Sequence, residues 1–210
     1  MTKKQKEIIY RLSQIYAGSQ SALNYNNPFE LLIAVILSAQ CTDKRVNIIT
    51  KRLFPMYGTP ASIADLEQEK IEELIHDCGL FRAKAKNIKA TCQMIVDKFS
   101  SQVPDNMDDL ISLPGVGRKT ANVVLSQAFG IPAIAVDTHV FRVSRRLGLA
   151  SGKDVETSEE ELMKLFPKKD WSAAHHWLIW HGRLVCKAQR PLCAECGLRE
   201  LCDSEDKIGK

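Results

Sequence analysis

The run Leu31-Leu32-Ile33-Ala34-Val35-Ile36-Leu37 constrains this chain more than any other segment, because seven consecutive apolar residues leave no polar face on a helix. Ahead of it, Asn27-Pro28-Phe29-Glu30 supplies an N-cap, a proline at the first helical position and a glutamate three residues after the cap. The run therefore reads as a helix. A helix that is apolar all round must be covered by other elements, and seven residues fall far short of the roughly 20 that a bilayer requires. The rest of the chain is expected to build a globular core around it.

The remaining sequence is also helical in period. Ile63 to Leu66, then Ile71, Leu74 and Ile75, continue one stripe up to Gly79, which reads as a C-cap. Ile88, Cys92, Ile95 and Phe99 form the next stripe. Helix breakers at Pro104, Pro114-Gly115-Val116-Gly117, Gly130-Ile131-Pro132, Gly148, Gly152 and Pro167 separate helices expected at 108–112, 119–129, 138–147, 158–165 and 172–186. No convincing amphipathic strand is present. The fold class is all-α, with an irregular cysteine-rich tail after residue 186. A chain of 210 residues buries enough surface to need no covalent staples. Its N-terminus lacks the apolar core of a secretory signal, so a reducing cytoplasm is expected, where clustered cysteines more often bind metal than form disulfides.

The first chemical motif is Leu110-x-x-Leu113-Pro114-Gly115-Val116-Gly117-Arg118-Lys119-Thr120-Ala121, a short helix, a two-glycine hairpin and a second helix. Glycines tolerate positive φ and leave amides uncovered at the following helix N-terminus, whose positive dipole end favours phosphate. Other glycine-rich readings fail. A Walker loop needs glycine where Ser112 stands, and a dinucleotide fingerprint needs glycine at Thr120 and a preceding strand. Between Arg118 and Arg146 lie Arg118, Lys119, Arg142, Arg145 and Arg146 against the single acid Asp137, so this stretch carries a net charge equal to the whole chain's +4. Binding to a phosphate backbone is the natural use of such a stretch.

The second motif is Cys186-x6-Cys193-x2-Cys196-x5-Cys202. Zinc sites usually pair their ligands in two short intervals, and only one interval here is short, so spacing alone leaves zinc and a four-cysteine iron–sulfur cluster equally open. Arg183, Lys187 and Arg190 around the first interval suggest a metal-pinned loop that offers cations to phosphates. Cys41, Cys78 and Cys92 lie on apolar helical faces and read as core residues.

The hairpin, the later Val136-Asp137-Thr138-His139-Val140-Phe141-Arg142 and the cysteine tail, together with Pro28 to Val35 and Ser38-Ala39-Gln40, resemble the bacterial endonuclease III family of helix-hairpin-helix DNA glycosylases over practically the whole chain. The resemblance implies a six-helix domain at about 21–131 and a cluster domain made of 1–20 and 132–210, holding a [4Fe-4S] cluster on Cys186, Cys193, Cys196 and Cys202. It implies catalytic residues at Lys119 and Asp137. Gln40 and Leu80 are expected to enter the space left when a damaged nucleotide is turned out of the duplex. Gly115, Val116, Gly117, Arg118, Lys187 and Arg190 are expected to hold the backbone. The implied activity is removal of oxidised pyrimidines from double-stranded DNA through a lysine Schiff base, followed by cleavage 3′ to the abasic site by β-elimination.

Such an enzyme is expected as a cytoplasmic, nucleoid-associated monomer with no membrane partner. A nucleophilic lysine must be neutral, and both the helix opening at Lys119 and the adjacent Arg118 oppose its charge. Asp137 would accept a proton and stabilise developing positive charge, or simply cap the helix that follows it. Two rivals remain. An adenine-type glycosylase of the same superfamily carries a glutamate in the early buried helix, where this chain has 31–37 apolar, and an additional C-terminal domain. A non-enzymatic helix-hairpin-helix module would use Lys119 for phosphate and Asp137 as a cap alone.

Overall fold

The computed structural model describes residues 1–205 and 207, and among them no strand is found. The helices run in the order α1 Lys3–Ile15, α2 Pro28–Ser38, α3 Asp43–Leu53, α4 Pro60–Ala64, α5 Gln68–Ile75, α6 Phe81–Lys98, α7 Met107–Ser112, α8 Arg118–Ala128, α9 Thr138–Arg146, α10 Val155–Leu165 and α11 Trp171–Leu184, with short 3-10 turns at Lys168–Asp170, Cys193–Glu195 and Arg199–Leu201. No helix among the described residues is long and apolar enough to cross a membrane.

Local chemistry explains most of the starts. Thr2, Asn27, Thr42, Thr59, Asn106, Asp137 and Asp154 each accept a backbone N–H of their own first turn, satisfying a donor that the helix leaves without a partner. The starts of α5, α6, α8 and α11 have no side-chain cap. Two of these four, α6 after Leu80 and α8 after Gly117, begin at expected DNA contacts.

The chain divides into two compact units, residues 21–131 and residues 1–20 with 132–210. The first is arranged around α2, which is buried from Phe29 to Leu37. Leu32, Ile33 and Leu37 join Val46 and Ile49 of α3, Ile71 and Ile75 of α5, Ile88, Cys92 and Ile95 of α6, and Ala121 and Val124 of α8 in one core. Ile33, Val35 and Ile36 are mediocre helix formers, so burial, at roughly 1.5–3 kcal/mol per large side chain, holds α2 in place rather than propensity. The Glu30 carboxylate accepts from the Asn26 backbone at 2.7 Å and the Asn26 side chain at 2.9 Å, and so anchors the approach to the helix.

The second unit assembles α1, α9, α10 and α11 around Ile8, Leu12, Val140, Val143, Leu162, Leu178 and Leu198. Here α9 lies against α11, and α1 against α11.

The expected single stripe from Ile63 to Gly79 is two helices. The chain turns extended at Glu67, with ψ 147°, between α4 and α5. Gly79 is not a left-handed cap either. That conformation falls on the next residue, Leu80, at φ 60°.

Candidate nucleic-acid interface and active site

The hairpin is pinned from beneath. After α7, the Val116 N–H donates to Leu113 O at 3.0 Å, and the Thr91 hydroxyl on α6 donates to Pro114 O at 2.6 Å. Leu113 and Val116 are buried, while Gly115, Gly117, Arg118 and Lys119 are exposed. Gly115 adopts φ +77°. Gly117 starts α8 in extended backbone without a side-chain cap, so the positive end of the helix dipole is covered by no side chain of its own cap. Val116 differs from its expected role. Its amide is spent inside the turn and its side chain in the core, so it shapes the hairpin and leaves the outward positions to its neighbours. Lys119, at the second position of α8, is exposed.

Asp137 sits at the head of α9. Its Oδ1 accepts from His139 N and from Val140 N, each at 2.8 Å. The side chain is half-buried, and capping fixes where the carboxylate stands. His175 of α11, buried, lies with Nδ1 2.7 Å from Ala135 O and so ties α11 to the segment that leads into Asp137. Lys119 and Asp137 belong to different units.

Gln40 and Leu80 share an unusual backbone. Both are non-glycine residues with positive φ, 51° and 60°, and both are exposed. Leu80 is 59% exposed, among the more exposed of the large apolar side chains. Neither side chain is taken up in the core, and left-handed backbone is uncommon for residues other than glycine. Cys41 is only partly buried, whereas Cys78 and Cys92 are buried.

The four clustered thiols line one small cavity of about 30 Å³ with Leu147, His181, Val185 and Pro191. Among the described residues, no group of His, Cys, Asp or Glu converges closely enough to hold a single metal ion. Four cysteine thiols on one cavity form a soft, all-sulfur donor set, which both zinc and iron–sulfur centres take. N–H groups aim at the sulfurs: Leu198 N lies 3.4 Å from Cys196 Sγ, and Arg146 Nη1 lies 3.5 Å from Cys186 Sγ. Burial first, then the nearby Cys196 and Cys186, pushes the Tyr16 phenol up to about 12, so it stays protonated. Burial pushes His181 down to about 4, so its ring is neutral at neutral pH. Tyr16 Oη stands 3.0 Å from His181 Nδ1 and can donate to it, which assigns the ring proton to Nε2, 3.7 Å from Cys196 Sγ.

Two of the cations counted toward phosphate binding have other work. Arg142 donates to Cys186 O at 3.1 and 3.0 Å and to Gly182 O at 3.0 Å, and Arg146 donates to Lys187 O at 2.7 Å. They tie the end of α11 and the start of the cysteine loop to α9. Lys187 and Arg190 are exposed on that loop. The anchoring roles of Arg142, Arg146, Tyr16 and His181 leave no local signal in the sequence, because their partners lie 40 to 165 residues away.

The family profile described as HhH-GPD superfamily base excision DNA repair protein matches residues 33–168. An endonuclease III from Synechocystis sp. is 51% identical over 206 residues, spanning 97% of this chain and 94% of the relative. The chain belongs to the endonuclease III family. Solved endonuclease III structures share its fold at TM-score 0.92 and 50% identity, covering 97% of this chain. One is a non-covalent endonuclease III–DNA complex, 96% of which is covered, and another is a trapped endonuclease III–DNA covalent intermediate, 97% of which is covered. The hairpin and Asp137 fall inside the matched family region, and the cysteine tail lies beyond it, within the span shared with the endonuclease III relatives.

Proposed function

We propose that this chain is a bifunctional DNA glycosylase and AP lyase of base excision repair, acting as a monomer on double-stranded DNA that carries oxidised pyrimidines or abasic sites. The observation that carries the reading is its 50% identity, over nearly its whole length, with an endonuclease III trapped in covalent linkage to DNA. Such a linkage requires a nucleophile, and Lys119 presents an exposed amine at a hairpin suited to phosphate.

In this reading the backbone is gripped by Gly115, Gly117 and Arg118, with Lys187 and Arg190 on the cysteine loop. Turning the damaged nucleotide out of the stack costs a few kcal/mol and is easiest where pairing is already weak. Gln40 and Leu80 occupy the vacated space. The neutral Lys119 amine attacks C1′, a C–N bond forms, and the glycosidic bond breaks with its electron pair leaving on the base. Asp137 accepts the proton released from the amine and opposes the positive charge that develops at C1′. Ring opening gives the imine. Loss of a C2′ proton then expels the 3′ phosphate, and hydrolysis of the imine frees the lysine.

Cys186, Cys193, Cys196 and Cys202 would hold a [4Fe-4S] cluster, which when bound tethers the loop carrying Lys187 and Arg190. Such an enzyme works on chromosomal DNA in the bacterial cytoplasm, at the nucleoid. The adenine-type alternative lacks its acid here: the one carboxylate of α2, Glu30, is committed to Asn26.

Sodium borohydride reduction in the presence of abasic-site duplex is the direct test. The wild-type chain should be trapped on the DNA, and Lys119→Ala should abolish trapping. Trapping that survives the substitution would remove Lys119 from this role.

A further inference from the structure

Lys84 is the one lysine or arginine buried among the described residues, 5% exposed in the first turn of α6. Its ammonium donates to Leu37 O at 2.8 Å, Ala39 O at 2.5 Å and Cys78 Sγ at 3.0 Å. Three donors meet three acceptors, all of them neutral. A buried cation without a carboxylate partner is costly, and an apolar side chain would fill this position at less expense. The acceptors explain its presence. Leu37 and Ala39 lead directly into Gln40, Cys78 leads through Gly79 into Leu80, and the Lys84 amide itself donates to Leu80 O at 3.1 Å.

The two strained turns are also side by side, since a Cβ on Gly79 would stand 3.1 Å from Gln40 O. Left-handed backbone at two exposed, non-glycine residues persists only where the surroundings over-determine it. We propose that Lys84 is a positioning residue that clamps both turns and holds Gln40 and Leu80 in register to enter the duplex together. The proposal rests on the reading that these two side chains fill the space left by the extruded nucleotide.

The test uses the full chain with two duplexes, one undamaged and one carrying an uncleavable tetrahydrofuran abasic site opposite 2-aminopurine. Wild type should bind the abasic duplex more tightly and raise the 2-aminopurine fluorescence as the opposite base is unstacked. Lys84→Met should weaken abasic-duplex binding about tenfold and lose the fluorescence rise, while undamaged-duplex affinity stays within about twofold. Should Lys84→Met not fold, Lys84→Gln, which keeps an amide donor for the carbonyls, should show the same selectivity at smaller amplitude. Unchanged abasic binding, or equal loss on both duplexes, overturns the proposal. A wild-type protein that does not distinguish the duplexes overturns the duplex-filling reading and this proposal with it.

Discussion

Gly115 lies so close to Asn87 that a Cβ added to it would stand 2.8 Å from Asn87 Nδ2 and 2.9 Å from Asn87 Cβ. The contact joins the turn of the hairpin to the middle of α6, and it separates two glycines that look equivalent in sequence. Gly115 also needs φ +77°, so Gly115→Ala should cost about 1–2 kcal/mol from backbone strain alone and more from the clash. Gly117 has φ −94°, and a Cβ added to it would meet no atom within 4 Å. Gly117→Ala should therefore melt at nearly the wild-type temperature yet bind duplex DNA more weakly, because a methyl group crowds the approach of phosphate to the α8 amides. Thermal melts paired with salt titrations of DNA binding read both outcomes.

Asp137 combines a cap and a proposed proton acceptor, and conservative substitution separates them. Asn and Asp cap helices about equally well, so Asp137→Asn should keep its thermal stability while the rate of borohydride trapping falls by about 10²–10⁴-fold. Asp137→Ala should lose the same activity and also about 1 kcal/mol of stability. If Asp137→Asn traps at the wild-type rate, the residue is a cap alone.

Removal of the proposed cluster should loosen a limited part of the chain. Protein purified without oxygen should contain iron and sulfide rather than stoichiometric zinc, and Cys186→Ser should lose the visible absorbance. In hydrogen exchange, protection should fall between Cys186 and Cys202 and leave α2 unaffected, since α2 is enclosed by the core of the 21–131 unit. Colourless wild-type protein with one zinc per chain would return the tail to the zinc reading.

The Tyr16 hydroxyl should matter through His181. Tyr16→Phe deprives a buried ring nitrogen of its 3.0 Å partner, which should destabilise the chain by about 1–3 kcal/mol in denaturant unfolding. The variant also frees the tautomer that directs Nε2–H toward Cys196.

Acid should weaken the turn after α9. The Ser151 amide above all, and with it the Ser151 hydroxyl, the Gly152 amide and Lys164, hold the Glu161 carboxylate below its ordinary range. The Thr157 amide does the same for Asp154 at the head of α10. Both groups titrate lower when folded, so their contribution is fully present above the unfolded carboxylate range, about pH 4, and is lost as pH falls through the lower folded values. Melting temperature should drop as pH falls below about 4, and Glu161→Gln should flatten that slope.

Much of the site was legible because its signals are local. Pro28, the capping Asn27 and the all-apolar 31–37 run announce a buried helix within a dozen residues, and α2 is that helix. The hairpin was legible for the same reason. The division of one expected helix into α4 and α5 was not, since no breaker marks Glu67 and the stripe of Ile63, Ile71 and Ile75 continues across the gap into one core.

By itself, then, the amino-acid order determined the all-α class, the hairpin that leads into α8 with Lys119 in its first turn, and Asp137 as the head of α9, because capping, turn chemistry and helical period act over three or four residues. Tertiary structure alone decided which polar groups meet across long separations. It took Arg142 and Arg146 from the apparent phosphate patch to anchor the cysteine loop. It also placed the ammonium of Lys84 on carbonyls 45 and 47 residues away. A buried cation must find acceptors wherever the packed helices present them, and that arrangement exists only once the core has closed.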